Sequence, residues 1–316
     1  MKGILENSIK ANKVFHAYAF TGPKGIGKKT FAKAYSGLLL CQKQSGDEKC
    51  GQCFACKTFD SNTNPDIHII DPGDGSISVE EIRSMQNDVI IKPLYSARKV
   101  YLIFEADKMT VQAQNCLLKT LEEPPSYAVI ILTASNYEAL METIRSRVLR
   151  LSFKKYSNDE LKAIIERNLD KPVDNIDFVL SFSDGIAGNA LEIAGSEEFI
   201  RLREETIQVV LSLHNNNVDE SFKAMNFMAD NKGVIDTVLD IMMTFFRDLL
   251  IYKKTGDEKM LINSDKKGII LNNVDKFTLK RLGESIELIE NTKRILQQNA
   301  NFQLSMEVML MKLQEE

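Results

Sequence analysis

The 316-residue sequence predicts an α/β fold: a parallel sheet built around a phosphate loop in the first half, then a purely helical second half. Three observations lead there. The short apolar run His16-Ala17-Tyr18-Ala19-Phe20 meets a glycine-rich turn and then a helix-forming stretch. Four later apolar runs are continuous rather than alternating and are separated by helix-length segments, as in strands covered on both faces. From about Arg203 onward no run reads as a strand.

In chain order, the first strand covers 16–20. The first helix covers about 27–40, with Phe31, Ala34, Tyr35 and Leu38 on one face. Further strands are predicted at 67–70, 99–104, 128–133 and 148–153. One helix opens at the capping box Ser78-Val79-Glu80-Glu81, whose serine and glutamate satisfy the first free backbone N–H groups. Another runs from about Thr110 to Glu122 and stops at Pro124-Pro125. A second capping box, Ser157-Asn158-Asp159-Glu160, opens the helical remainder. There Val234, Val238, Ile241, Phe245, Leu249 and Tyr252 step by three and four, as do Leu282, Ile286 and Ile289 with Leu296 beyond. Such stripes are the inward faces of a bundle, and some are open to packing on sister subunits.

Composition narrows the function classes. No apolar run approaches the ~20 residues of a membrane span. The start, Met1-Lys2-Gly3-Ile4-Leu5-Glu6-Asn7, lacks the apolar segment of a signal peptide, so a cytoplasmic protein is expected. A net charge of −4 argues against a chain that coats nucleic acid by itself.

The phosphate loop follows the pattern G-x-x-x-x-G-K-[ST] through Gly22, Gly25, Gly27 and Lys28. Its backbone N–H groups and helix N-terminus suit a phosphate, with Lys28 reaching between phosphates. The pattern needs a hydroxyl straight after that lysine to hold Mg²⁺, and this chain has Lys29. Thr30 comes one residue late, about 100° around the helix. A second nucleotide element, a strand ending in an acidic pair, reads Phe104-Glu105, so phenylalanine stands where the metal-binding aspartate belongs. Asp107 is three residues too far and is expected to cap the next helix. Two metal-supporting positions are therefore lost, and hydrolysis by this chain is not expected.

Cys41, Cys50, Cys53 and Cys56 supply four thiolates in sixteen residues, enough to close a tetrahedral Zn²⁺ site, with Gly46 and Gly51 letting the chain wrap the ion. A closed four-sulfur site leaves no open position for water, so the metal is expected to be structural. Cys116, midway along an apolar helix face, reads as a small core residue.

The run His16 to Gly22, the four-cysteine insert, Asn115-Cys116-Leu117-Leu118-Lys119-Thr120-Leu121-Glu122-Glu123-Pro124-Pro125 and Thr143-Ile144-Arg145-Ser146-Arg147 together resemble one family. It is that of the delta-prime subunits of bacterial DNA polymerase III clamp loaders, members of the AAA+ group. The resemblance is dense over residues 1–155 and weaker beyond. It implies an AAA+ domain over 1–155 with its zinc module at 41–56, a helical lid over 156–200 and a helical collar over 201–316. It implies an arginine finger at Arg147, reaching the ATP of a neighbouring subunit; the family's Ser-Arg-Cys reads Ser146-Arg147-Val148 here. The family's lid arginine falls on Gly188, a third loss. The implied partners are homologous gamma/tau and delta subunits in a hetero-oligomeric ring, with the sliding clamp and primed DNA reached through the assembly. The implied role is that of a non-hydrolysing accessory subunit of a DNA-directed DNA polymerase, at the nucleoid-associated replisome. Three alternatives stand beside it: an active gamma/tau-like ATPase motor, a scaffold retaining nucleotide as a structural ligand, and a DNA-binding zinc module. The last is weakened by Asp47 and Glu48, which offset Lys43, Lys49 and Lys57.

Overall fold

The computed structural model describes residues 13–43, 48–169, 175–213, 218–298 and 300–314, with residues 5, 8, 9, 11 and 173. Gly46 and Asp47, and all of 1–7 except Leu5, lie outside them. The contacts divide the chain into two units, Met1–Lys155 and Tyr156–Glu316.

The first unit holds five parallel strands: β1 (Ala17–Thr21), β2 (Ile67–Ile70), β3 (Lys99–Ile103), β4 (Ala128–Ala134) and β5 (Leu149–Ser152). Their order across the sheet is β2-β3-β4-β1-β5. The crossover from β1 therefore leaps to the far edge, and the loop after β1 lies at a switch point, where open α/β sheets place their ligand crevice. Every residue of β1, β3 and β4 is buried, as continuous apolar runs require, while the edge strands β2 and β5 stay partly exposed. Alternation along β1 divides the core. Ala17 and Ala19 face one apolar cluster with Leu117 and Ile130, and Tyr18 and Phe20 face another with Tyr35 and Leu102.

The helices of this unit are α1 (Lys28–Leu40), α2 (Phe54–Asp60), α3 (Val79–Val89), α4 (Val111–Glu122) and the one-turn α5 (Glu142–Arg145). On α1 the buried face is Ala32, Tyr35, Ser36 and Leu39, one residue round from the expected one. Phe31 and Leu38 flank it half-buried, and Ala34 is exposed. The capping box at Ser78 is present. Asp107 does not cap α4; the hydroxyl of Thr110 does, accepting from the Ala113 N–H at 3.2 Å.

In the second unit the described residues form helices and turns without a strand. They are α6 (Asn158–Asn168), α7 (Ile176–Phe182), α8 (Ala187–Ala194), α9 (Glu197–Ser212), α10 (Val218–Asp230), α11 (Ile235–Thr255), α12 (Lys267–Asn273), α13 (Leu279–Gln297) and α14 (Phe302–Gln314). Ser157 and Glu160 make the second capping box. One apolar cluster gathers buried residues from Leu161 to Ile193 and another those from Leu202 to Leu313. On α11 the stripe Val238, Ile241, Phe245 and Leu249 is fully inside, but Val234 precedes the helix and is exposed. Among the described residues no helix is long and apolar enough to cross a membrane.

Candidate functional site

The turn after β1 is shaped by glycines at left-handed φ: Gly22 at 148°, Gly25 at 79° and Gly27 at 98°. Gly22 also has no room for a side chain, since a β-carbon there would sit 2.7 Å from the carbonyl oxygen of Phe153. Lys28 opens α1 and is turned back on its own loop. Its ammonium donates to the carbonyls of Gly22 (2.6 Å) and Pro23 (2.8 Å) and to the Ser135 hydroxyl (3.1 Å). At 7% exposed it is a buried cation. Burial lowers its pKa below the ordinary lysine value, against the pull of Asp107 and Glu105.

Lys29 points elsewhere. Its ammonium lies 2.7 Å from a carboxylate oxygen of Glu105 and 3.1 Å from both oxygens of Asp71, and 5.3 Å from the centroid of the Phe104 ring. Despite the opposing effect of burial, its bonds to Glu105 and Asp71 hold its pKa above the ordinary lysine value. Glu105, at φ 49°, also pairs with Lys108 at 2.8 Å. Hydrogen bonds from Lys108 and Lys29 pull its carboxyl down to about 2. Asp107 accepts from the backbone N–H groups of Ser135 (3.3 Å) and Asn136 (3.0 Å), tying the end of β3 to the end of β4. A Mg²⁺–nucleotide does not fit this set. The hydroxyl ligand and the aspartate are replaced by Lys29 and Phe104, and the remaining carboxylate is held by two ammonium groups.

Cys41, Cys50, Cys53 and Cys56 come together with all four sulfurs within 4.8 Å of one another, and they can hold a metal ion. Tetrahedral bonds of ~2.3 Å set sulfurs about 3.8 Å apart, and Cys50 and Cys56 already stand at 3.9 Å. The backbone N–H groups of Cys50, Cys53 and Cys56 each point at the preceding cysteine's sulfur, at 3.4 Å. Donors so placed favour thiolates, and those of Cys53 and Gln52 bring Cys50 down to about 6. Burial pushes Cys56 up to about 12, so a cation among the sulfurs is what would keep it ionised. Cys53 doubles as the N-cap of α2. Cys116 is half-buried and donates to the Gln86 side-chain oxygen at 3.1 Å.

Arg147 follows α5 and is half-exposed. Its guanidinium is held within its own unit. It donates to the Thr143 carbonyl at 2.9 Å and the Ser146 hydroxyl at 3.2 Å, and it pairs with Glu122 at the end of α4 at 2.9 Å. Gly188 lies exposed in the first turn of α8.

A further feature was not anticipated. After α3 the chain exposes Ile90 (74%), Ile91 (61%) and Leu94 (68%). Buried Asp66 holds that loop by accepting from the N–H groups of Leu94, Tyr95 and Ser96 at 2.6, 2.7 and 2.8 Å. Lys99 donates to the carbonyls of Asp88 and Ile91, and Tyr127 to those of Val89 and Ile90, across the end of α3. Reading by motif also missed Asp71, Ser135 and Glu122. Ser135 and Asp71 carry one weak signal, a polar residue just past a strand's C-terminal end, where such sheets build sites. Glu122 carried none beyond its place in the quoted motif.

Comparison with known proteins adds family profiles, relatives and a solved structure. The family profile described as "DNA polymerase III, delta subunit" matches residues 1–157, and "DNA polymerase III, delta subunit, C terminal" matches 197–315. The chain is 31% identical to DNA polymerase III subunit delta' of Bacillus subtilis (strain 168), over 99% of this chain and 94% of that one. It is 29% identical to subunit tau of the same organism, over 79% of this chain but 48% of tau. Among solved structures, a DNA polymerase III gamma subunit-related protein from Thermotoga maritima superposes with a TM-score of 0.50 at 16% identity, covering 98% of both chains. That last likeness is one of fold.

Proposed function

Because the chain belongs to the family of DNA polymerase III delta' subunits, we propose that it works as a non-hydrolysing member of a clamp-loader ring. In this reading its contribution to ATP turnover is Arg147, supplied to nucleotide held by a neighbouring gamma/tau-type subunit. A permanently charged planar fork suits charge developing on a transferring phosphoryl group. One observation carries the reading: the same domain that has rebuilt its phosphate loop against a metal keeps a half-exposed guanidinium at the family's finger position. The sheet domain over 1–155 would be followed by a lid over 156–200 and a collar over 201–316, a division supported by the two apolar clusters of the second unit. The collar would seat the chain among homologous subunits, delta included, and the assembly would open the sliding clamp around primed DNA.

The metal suited to the cysteine cluster is zinc, whose preference is four sulfurs in a closed tetrahedron. It would order 41–56 and take no part in a reaction.

Two mechanical demands follow for Arg147. It must leave Glu122, and the exchange is cheap, because a solvent-exposed pair contributes only about 0–1 kcal/mol. It must also be aimed, and α5 with the Thr143 carbonyl fixes its base. The test is Arg147→Ala in the reconstituted complex. Folding and assembly are expected to survive, while ATP turnover loses the share of the site this subunit faces. Unchanged turnover would remove the finger from the reading.

A further inference from the structure

We infer that the Lys29 ammonium is this chain's built-in substitute for the divalent metal, tying the start of α1 to the C-terminal ends of β2 and β3 beside a phosphate loop that holds no nucleotide. This deepens the non-hydrolysing reading above and rests on it.

Lys29 lies in the first turn of α1, Asp71 just after β2 and Glu105 just after β3, and one ammonium joins all three. In a working phosphate-loop protein, joining the start of the loop's helix to the acidic strand end is the task of the metal and its nucleotide; here the link to Asp71 is an addition. Charge is replaced along with position: Lys29 and Lys108 set two positive charges on the carboxylate of Glu105. Phe104 fits the same exchange. A phenyl ring offers no lone pair to Mg²⁺, but its face attracts ammonium groups, and Lys29 and Lys33 lie 5.3 and 5.9 Å from its centroid. The hydroxyl-to-lysine and aspartate-to-phenylalanine changes are thus two halves of one rebuilt contact rather than two separate losses. Lys28 completes the closure. It has three N–H donors, and three neutral oxygens of the loop and of Ser135 take them, so it needs no phosphate.

The experiment uses the full-length chain, with thermal midpoints by circular dichroism and nucleotide titration by calorimetry. Lys29→Met and Glu105→Gln are each expected to lower the midpoint by about 2–4 °C. The double variant should lose less than their sum, because both remove one contact. Strictly additive losses would overturn the inference. The second arm is a gain. Lys29→Thr with Phe104→Asp, checked as folded, is expected to bind Mg²⁺–ATP at concentrations where the wild type shows no heat. A folded double variant that stays silent also overturns it. If the unaltered chain itself binds Mg²⁺–ATP, this inference fails, and if it also turns that nucleotide over, the non-hydrolysing reading beneath fails with it. Silence in the wild type with additive midpoints sinks this inference alone.

Discussion

Glu105 is the residue on which most of the loop's charge converges, and it makes the site acid-sensitive. Its carboxyl is held at about 2, first by Lys108 and then by Lys29, against an ordinary value of 4.5. A carboxylate whose folded pKa is depressed adds stability that is complete above its unfolded value and disappears as pH falls through its folded one. The stability gap between the wild type and Glu105→Gln, measured by urea unfolding at stepped pH, should therefore be constant above pH 4.5 and shrink to nothing toward pH 2. A gap that persists at pH 2 would mean the contact is not ionic. At the cysteines, the expectation is one zinc per purified chain, lost together with the fold of the insert in a Cys53→Ser/Cys56→Ser variant; elemental analysis without zinc would end the assignment. How much was legible differs between the two sites. The cysteines could be read off because a metal site is declared by spacing, and Lys29 and Phe104 because they violate a fixed pattern. Asp71, Ser135 and Glu122 could not, because only the strand order brings Asp71 to Lys29 and Ser135 to Lys28, and only tertiary packing sets Glu122 against Arg147.

At the scale of elements, strands and capping boxes were readable from local chemistry, whereas the rotation of a helix about its axis was not. Phe31 and Leu38 make α1 look one residue turned, because their size outweighs the small Ala32 and Ser36 that are buried. Thr110 and Asp107 competed for one cap. Asp107 went to the N–H groups after β4, a partner no sequence window contains. The loop after α3 makes the same point from the energetic side. Asp66 is buried and satisfies three consecutive backbone N–H groups, so Asp66→Ala leaves donors without an acceptor at a cost of about 3 kcal/mol. Urea unfolding should show that loss, and amide exchange at Leu94, Tyr95 and Ser96 should speed up well beyond the change elsewhere. Exchange that stays slow would mean the loop is held by something other than this carboxylate.

For the whole molecule, the division at Lys155 separates two bodies with their own cores. Phe245, fully buried at the middle of α11, belongs only to the second. Phe245→Ala is expected to cost about 3–5 kcal/mol. Residues 156–316 should then unfold at lower denaturant while the cysteine insert keeps its zinc, read with a chromogenic chelator. Simultaneous release would show that the two bodies unfold as one. The bundle itself was readable as spaced apolar residues, with Val234 misassigned because the periodicity runs on past the helix start. The water-facing loop of Ile90, Ile91 and Leu94 has a practical consequence for all such measurements. Dyes that brighten on apolar surface will bind the native state there, so their signal is high before any unfolding begins. The chain has no tryptophan to serve instead. Its unfolding is best followed by backbone ellipticity, because a dye signal at room temperature is expected from this loop and from other exposed apolar side chains such as Phe222 and Met311, without any damage to the preparation.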